Sequence, residues 1–282
     1  MIASKNLPTR TVIQLLAIML PALALVLISY LPPFNPFTTP HLDLTGSLAQ
    51  AVYWVSWTGG WGGGLSGILL VGLLTTLLLS SRAGISWQTR LIESTVFLTA
   101  GFGSLAGLHY LNEHLLKANF AVPRPNIQKL AEDKVLGTTA QEFYKVPGKK
   151  ERSDYLHKVL TPEIGQELGL SERIRTHWIH ETGYSFPSGH AFASMLFATF
   201  FLGLGLSCCT GPRLWICYLL APWGSAVCIS RPILRVHSPI DVLCGGLEGI
   251  LAGTVVFLLV RLVLPELGRA HARPSTGPGN PI

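Results

Sequence analysis

The sequence predicts an all-α integral membrane protein with six transmembrane helices and a partly helical extracytoplasmic insert between the third and the fourth. Three observations lead there. Of 282 residues, 49% are hydrophobic and only 13% charged, against about 25% charged in ordinary soluble domains. Apolar runs recur close to the length of about 20 residues that a spanning helix needs. What charge there is clusters: residues 117–186 hold 11 of the 21 Lys and Arg and 9 of the 15 Asp and Glu.

The first span, 11–31, carries no charge from Thr11 to Leu31. Lys5, Arg10 and Ala22-Leu23-Ala24 imitate a cleaved signal peptide, but the apolar run continues past that site, so a retained anchor is expected. The second span covers about 57–79. Gly59, Gly60, Gly62, Gly63 and Gly64 at its start predict close helix contacts or an irregular entry. The third covers about 94–115, the fourth 188–209, the short fifth 214–230 and the sixth 240–264. Residues 1–265 thus form one membrane domain. The Pro-, Gly- and Arg-rich stretch 266–282 is expected to be a disordered cytoplasmic tail. In the insert, 117–186, Pro123, Pro125, Pro147 and Pro162 break the chain into short pieces. Apolar residues recur in 155–170 at loosely helical spacing, which predicts short helices capping whatever lies beneath.

Lys5, Arg10, Arg82, Arg90, Arg213, Arg261, Arg269 and Arg273 fall at one set of loops and ends, whereas the 32–56 loop has no Lys or Arg. The positive-inside rule puts both termini in the cytoplasm, and long translocated inserts escape that rule. The loops after spans one, three and five then face outward. Trp54, Trp57 and Trp61 suit an interfacial aromatic belt. The net charge of +6 forms no stripe of the kind that binds nucleic acid and fits a membrane surface and an anionic substrate. Cys208, Cys209, Cys217, Cys228 and Cys244 lie in or beside apolar stretches, with neither the spacing of a zinc site nor a disulfide framework, and read as buried small hydrophobes.

Three segments at the outward ends of the spans carry chemistry. Lys117, Arg124 and Arg231 are fixed cations, and arginine grips phosphate oxygens with a planar fork. Pro125 biases Arg124 away from helix. Pro187-Ser188-Gly189-His190 opens an apolar helix, where free N–H groups attract anions and glycine admits close approach to the backbone. His237 and Asp241 stand four apart. On one helical turn they would share a face, with the carboxylate orienting the imidazole. Imidazole can itself attack phosphorus. His237 is read as nucleophile and His190 as acid for the leaving group, although the residues alone permit the reverse. The set implies phosphoryl transfer with no metal site and no cofactor. Glu113 and His114 read as interface residues with a weaker claim as supports of the site, Glu248 as facing a helix partner or water, and Arg235 as a possible fourth cation.

In residues, order and spacing these segments resemble the type 2 phosphatidic acid phosphatase superfamily. The likeness extends to Glu142-Phe143-Tyr144, His177-Trp178 and Glu181-Thr182-Gly183-Tyr184-Ser185-Phe186. It implies phosphate-binding roles for Lys117, Arg124, Ser188, Gly189 and Arg231, an acid role for His190, and nucleophile and relay roles for His237 and Asp241. It further implies a metal-independent lipid phosphatase, multi-pass in the bacterial inner membrane with its site on the outer face. Implied substrates are phosphatidylglycerol phosphate, phosphatidic acid and undecaprenyl pyrophosphate. Transfer to a second lipid by the same covalent step, or lipid binding or transport without turnover, are the alternatives.

Overall fold

The uncharged run behind His190 becomes the central pillar of the molecule. In the computed structural model, which describes residues 7–32, 35, 43–60 and 67–264, helices follow one another as α1 (Leu7–Ala24), α2 (Ser47–Thr58), α3 (Gly67–Ser80), α4 (Trp87–Leu111), α5 (Lys117–Phe120), α6 (Pro125–Glu132), α7 (Ala140–Lys145), α8 (Lys149–Val159), α9 (Pro162–Glu167), α10 (Glu172–His180), α11 (Gly189–Cys208), α12 (Gly211–Tyr218), α13 (Leu220–Ile233) and α14 (Pro239–Val263). A 3-10 turn, Leu25–Tyr30, continues α1, and a π turn, Asn112–Leu116, joins α4 to α5. Among the described residues the extended pairing is an isolated bridge between Leu44 and Leu170.

α11 is apolar all round and therefore belongs in a core. It packs against α14, α13, α1, α3 and α4. Its contact with α14 is close because Gly245, Gly249 and Gly253 repeat every four residues on one face. A Cβ on Gly249 would stand 2.9 Å from Leu196 N and against the Phe192 carbonyl, and one on Gly253 would stand 2.6 Å from Leu196 O. Small residues at such spacing let two backbones meet where lipid offers no hydrophobic drive. The outer skin is aliphatic: Leu77, Leu91, Leu251 and Leu262 are all exposed. Water would not tolerate a continuous surface of that kind, and hydrocarbon does.

Five helical stretches among the described residues are long and apolar enough to cross a membrane, and Gly67–Ser80 is a shorter apolar helix. The expected second span, about 57–79, is not one helix. α2 stops at Thr58 with Gly59 as its cap, and residues 61–66 lie outside the described residues. Glycine's high backbone entropy makes such a cluster a poor helix interior. The fifth span runs from Gly211 to Ile233, with a slight irregularity at Leu219, where α12 meets α13 while the backbone stays helical (φ −64°, ψ −16°). Trp61 and the expected tail, 266–282, also lie outside the described residues. Cys208, Cys209, Cys217 and Cys228 are buried and Cys244 half-buried.

The insert folds into the short helices α6 to α10 and builds a second core of its own. Ile127, Leu130, Phe143, Leu156, Ile174 and Trp178 pack there together with Leu234 and Val236. The loop between α13 and α14 is thus held from above, and the Trp178 indole donates to the Leu234 carbonyl at 2.9 Å.

Leucine at Gly249 should wedge α11 from α14 and lower stability by about 1–3 kcal/mol. A fall in the unfolding midpoint of purified protein in detergent checks this; an unchanged midpoint would refute the close contact.

Candidate active site

Arg124 gathers the three segments. Pro125, as the first residue of α6, holds it in extended backbone (φ −71°, ψ 147°) at the helix cap. Its side chain is buried, and its forked N–H groups point in several directions. Nε donates to Gly183 O at 2.8 Å, and Nη1 donates to Val236 O at 3.1 Å and to His237 Nε2 at 3.1 Å. Nη2 pairs with Glu181 Oε2 at 2.8 Å. The Tyr144 hydroxyl braces this corner. It donates to Gly183 O at 3.1 Å and accepts from Arg124 N at 3.2 Å, while its ring stacks on Tyr184 and lies under the Arg152 guanidinium.

The contact with Arg124 fixes the tautomer of His237. Guanidinium only donates, so Nε2 accepts and the proton sits on Nδ1. Nδ1 faces Ser185 Oγ at 3.3 Å and Asp241 Oδ2 at 3.7 Å. Ser185 in turn donates to Asp241, and the Ser238 backbone N–H donates to the same carboxylate at 2.7 Å. Burial, with Arg124 alongside, pushes the His237 pKa below the usual imidazole range despite the opposing pull of Asp241. The imidazole is therefore neutral, with its Nε2 lone pair aimed at the cations. The expectation that His237 and Asp241 share a helical turn is not met. Ser238 caps α14, Asp241 is the third residue of a capping box, and His237 lies in the loop ahead of it. The four-residue spacing reflects that cap, and Ser185 bridges the remaining gap.

Arg231, entirely buried near the end of α13, donates to Ser56 Oγ at 2.5 Å and pairs with Glu181 Oε1 at 2.6 Å. Glu181 thus lies between two guanidinium groups. Burial by itself would raise its pKa, but Arg124 and Arg231 outweigh that and hold the carboxyl well below its usual range. His177, whose Nε2 is 3.4 Å from Arg231 Nη1, is lowered to about 4 by burial, against the pull of Glu181.

Lys117, Arg124, Gly189, His190 and His237 line one cavity of about 650 Å³. His190 reaches it from the first turn of α11. Its Nε2 would be 2.6 Å from a Cβ at Gly60, so a larger residue there would displace the imidazole. Ser188 caps α11, and its hydroxyl is buried without a hydrogen bond among the described residues. Ser188, Arg231 and Asp241 lie behind the cavity wall and act on it through their neighbours. Glu113, taken as an interface residue, instead lines the cavity and pairs with both Lys117 and Lys149. His114 lines it too, whereas Arg235 is buried and is not among the lining residues. Glu248 is half-buried with its side chain toward Asn112. Among the described residues no three His, Cys, Asp or Glu side chains come together as metal donors. Four lining or bracing residues, Glu181, Ser185, Tyr144 and Lys149, were not assigned roles from the sequence. The signal for the first three was their place in the segments that carry the family likeness, and for Lys149 there was none.

Comparison with known proteins agrees with this geometry. The profile of the PAP2 superfamily matches residues 94–264. A phosphatidylglycerophosphatase B from Haemophilus influenzae is 32% identical over 154 residues, 51% of this chain and 58% of that protein. Proteins of the same name from Escherichia coli K12 and Shigella flexneri are each 31% identical over 127 residues, 45% of this chain and 46% of theirs. The chain therefore matches about half the length of these curated relatives.

Removing the carboxylate with Glu181→Ala leaves two buried guanidinium groups without their shared acceptor, a change that costs about 3–5 kcal/mol. The unfolding midpoint in detergent should fall accordingly, and added inorganic phosphate should raise it more in the variant than in the parent. Equal response of the two proteins to phosphate would show that phosphate does not compete with the Glu181 carboxylate for Arg124.

Proposed function

The chain belongs to the PAP2 superfamily, and we propose that it is a multi-pass membrane lipid phosphatase working through a phosphohistidine intermediate without a metal. One observation carries this reading: Lys117, Arg124, His190 and His237 open into a single cavity, with the nucleophilic nitrogen of His237 already in contact with a phosphate-binding guanidinium. The names of the curated relatives support a lipid phosphate as substrate.

The steps follow from the side chains. The phosphate of the lipid is gripped by Arg124 and Lys117, with backbone N–H groups at the start of α11 completing the cradle and Arg231 adding its charge from behind the cavity wall. Binding exchanges one acceptor for another on Arg124, since Glu181 now takes the guanidinium edge that a phosphate oxygen requires. His237 Nε2 gives its lone pair to phosphorus as the bond from phosphorus to the lipid oxygen breaks. Protonated His190 gives its proton to the departing oxygen. The Nδ1 proton remains shared toward Ser185 and Asp241, which stabilises the positive ring as it forms. His190 then takes a proton from water, the resulting hydroxide attacks the phosphohistidine, and inorganic phosphate leaves with His237 restored. The fixed cations meet the charge on the transferring group, the part that metal ions play in other phosphoryl-transfer sites.

Substrates within this reading are phosphatidylglycerol phosphate, phosphatidic acid and undecaprenyl pyrophosphate, reached from the outer face of the bacterial inner membrane. The fold supports that orientation. Arg82 and Arg213 both lie toward the far end of α11, Arg82 against Cys208 and paired with Glu93, and Arg213 against the Ser81 carbonyl. Cationic loops of that kind mark the cytoplasmic side.

Phosphate release from a lipid phosphate in detergent tests the mechanism. His237→Ala should abolish turnover, and chelator should leave the parent enzyme at full rate. Near-parental turnover of His237→Ala, or a strict need for added metal, would defeat the reading. Ser185→Ala should lower kcat by about 10–100-fold through loss of imidazole orientation while sparing KM.

A further inference from the structure

The cavity holds its charges in two sets. Glu181 sits between Arg124 and Arg231, next to His237. Glu113 sits between Lys117 and Lys149, one lysine on each carboxylate oxygen. Four cations thus share two carboxylates, a surplus of two positive charges. The first set is used by the transferring phosphate. The second has no part in the chemistry derived above beyond Lys117.

Lys149 is built into its place. It opens α8, and its carbonyl accepts from the Thr182 hydroxyl at 2.9 Å, which ties it to the loop that carries Glu181 and Gly183. Its stem crosses Gly183, where a Cβ would stand 3.1 Å from Lys149 Cε. Lys117 is buried, with 6% of its side chain exposed, while Lys149 keeps 57% exposed and still lines the cavity. It is the cation on the open side of the site, and its ammonium is one carboxylate away from Lys117. Lys117 Nζ itself stands 3.9 Å from a Cβ at Gly189, at the start of α11. Lys117 therefore lies between Glu113 and the start of α11 on the cavity that Arg124 also lines, and Lys149 extends the positive path outward from the transferring phosphate.

Resting on the lipid phosphatase reading, we propose that Lys149, with Lys117, forms a second phosphate subsite, so that the preferred substrates are lipids carrying two phosphorus groups, the one transferred and a neighbour that remains negatively charged. The neighbour is either the inner phosphate of a lipid pyrophosphate or a phosphodiester elsewhere in the headgroup. In both cases its oxygens replace Glu113 on Lys149, as the transferred phosphate replaces Glu181 on Arg124.

The test measures phosphate release by the full-length protein and by Lys149→Ala from three lipids. Undecaprenyl pyrophosphate carries an anhydride, phosphatidylglycerol phosphate a monoester plus a diester, and phosphatidic acid a single phosphate. Loss of one charge-assisted contact should reduce kcat/KM about tenfold or more on the first, the second or both, and leave phosphatidic acid within about twofold. Which of the first two falls identifies the source of the second phosphate. Lys149→Arg should retain the preference, and matching unfolding midpoints should show that the alanine variant is folded. An equal fall on all three lipids, or no change on any, would overturn the subsite while leaving the lipid phosphatase reading intact. If the parent protein releases phosphate from none of the three, that reading fails and the subsite with it.

Discussion

The fork of one buried arginine holds the site together. Arg124 bonds to the carbonyls of Gly183 and Val236, the imidazole of His237 and the carboxylate of Glu181. Arg124 and these partners come from three stretches of chain far apart in sequence. A buried guanidinium is tolerable only when its donors are satisfied, so the three stretches must arrive in register before the charge can be enclosed. Its geometry also selects chemistry. By donating to His237 Nε2 it imposes the tautomer in which that nitrogen is free of a proton.

Two cores supply the rigidity behind that arrangement. The bundle core centres on α11, which carries Ser188, Gly189 and His190 at its outer end, and glycines on α14 bring Asp241 to the same level. The insert core holds Leu234 and Val236 and so sets the loop that ends in His237. His237 is therefore positioned by the insert, and the Asp241 carboxylate by the bundle. Ser185 spans the join, with bonds to both.

Much of this was legible in the chain. The all-α membrane character follows from composition, and Arg124, His190 and His237 could be named from spacing and residue type because phosphate chemistry demands cations and imidazoles together. The break in the second span was hidden because apolar composition reports burial in lipid, not helix continuity. The His237 and Asp241 pair could be picked from its spacing, and the two side chains do face each other at 3.7 Å, but a spacing of four serves equally for a helical face and for a capping box with its histidine just outside, so the local geometry was not legible. Glu181 and Lys149 could not be picked from the 20 charged residues of the insert. Their importance is their position over the cavity, which depends on how five short helices pack. Ser185 is an ordinary small residue until it is seen between an imidazole and an acid.

The shared custody of His237 bears on biogenesis. A chain whose long helices have entered the bilayer, but whose outer segment is still unfolded, has an imidazole with neither tautomer nor direction imposed on it. On the proposed chemistry, competence would then require the insert to close over the bundle as well as the long helices to insert, and a half-assembled molecule would lack an oriented nucleophile.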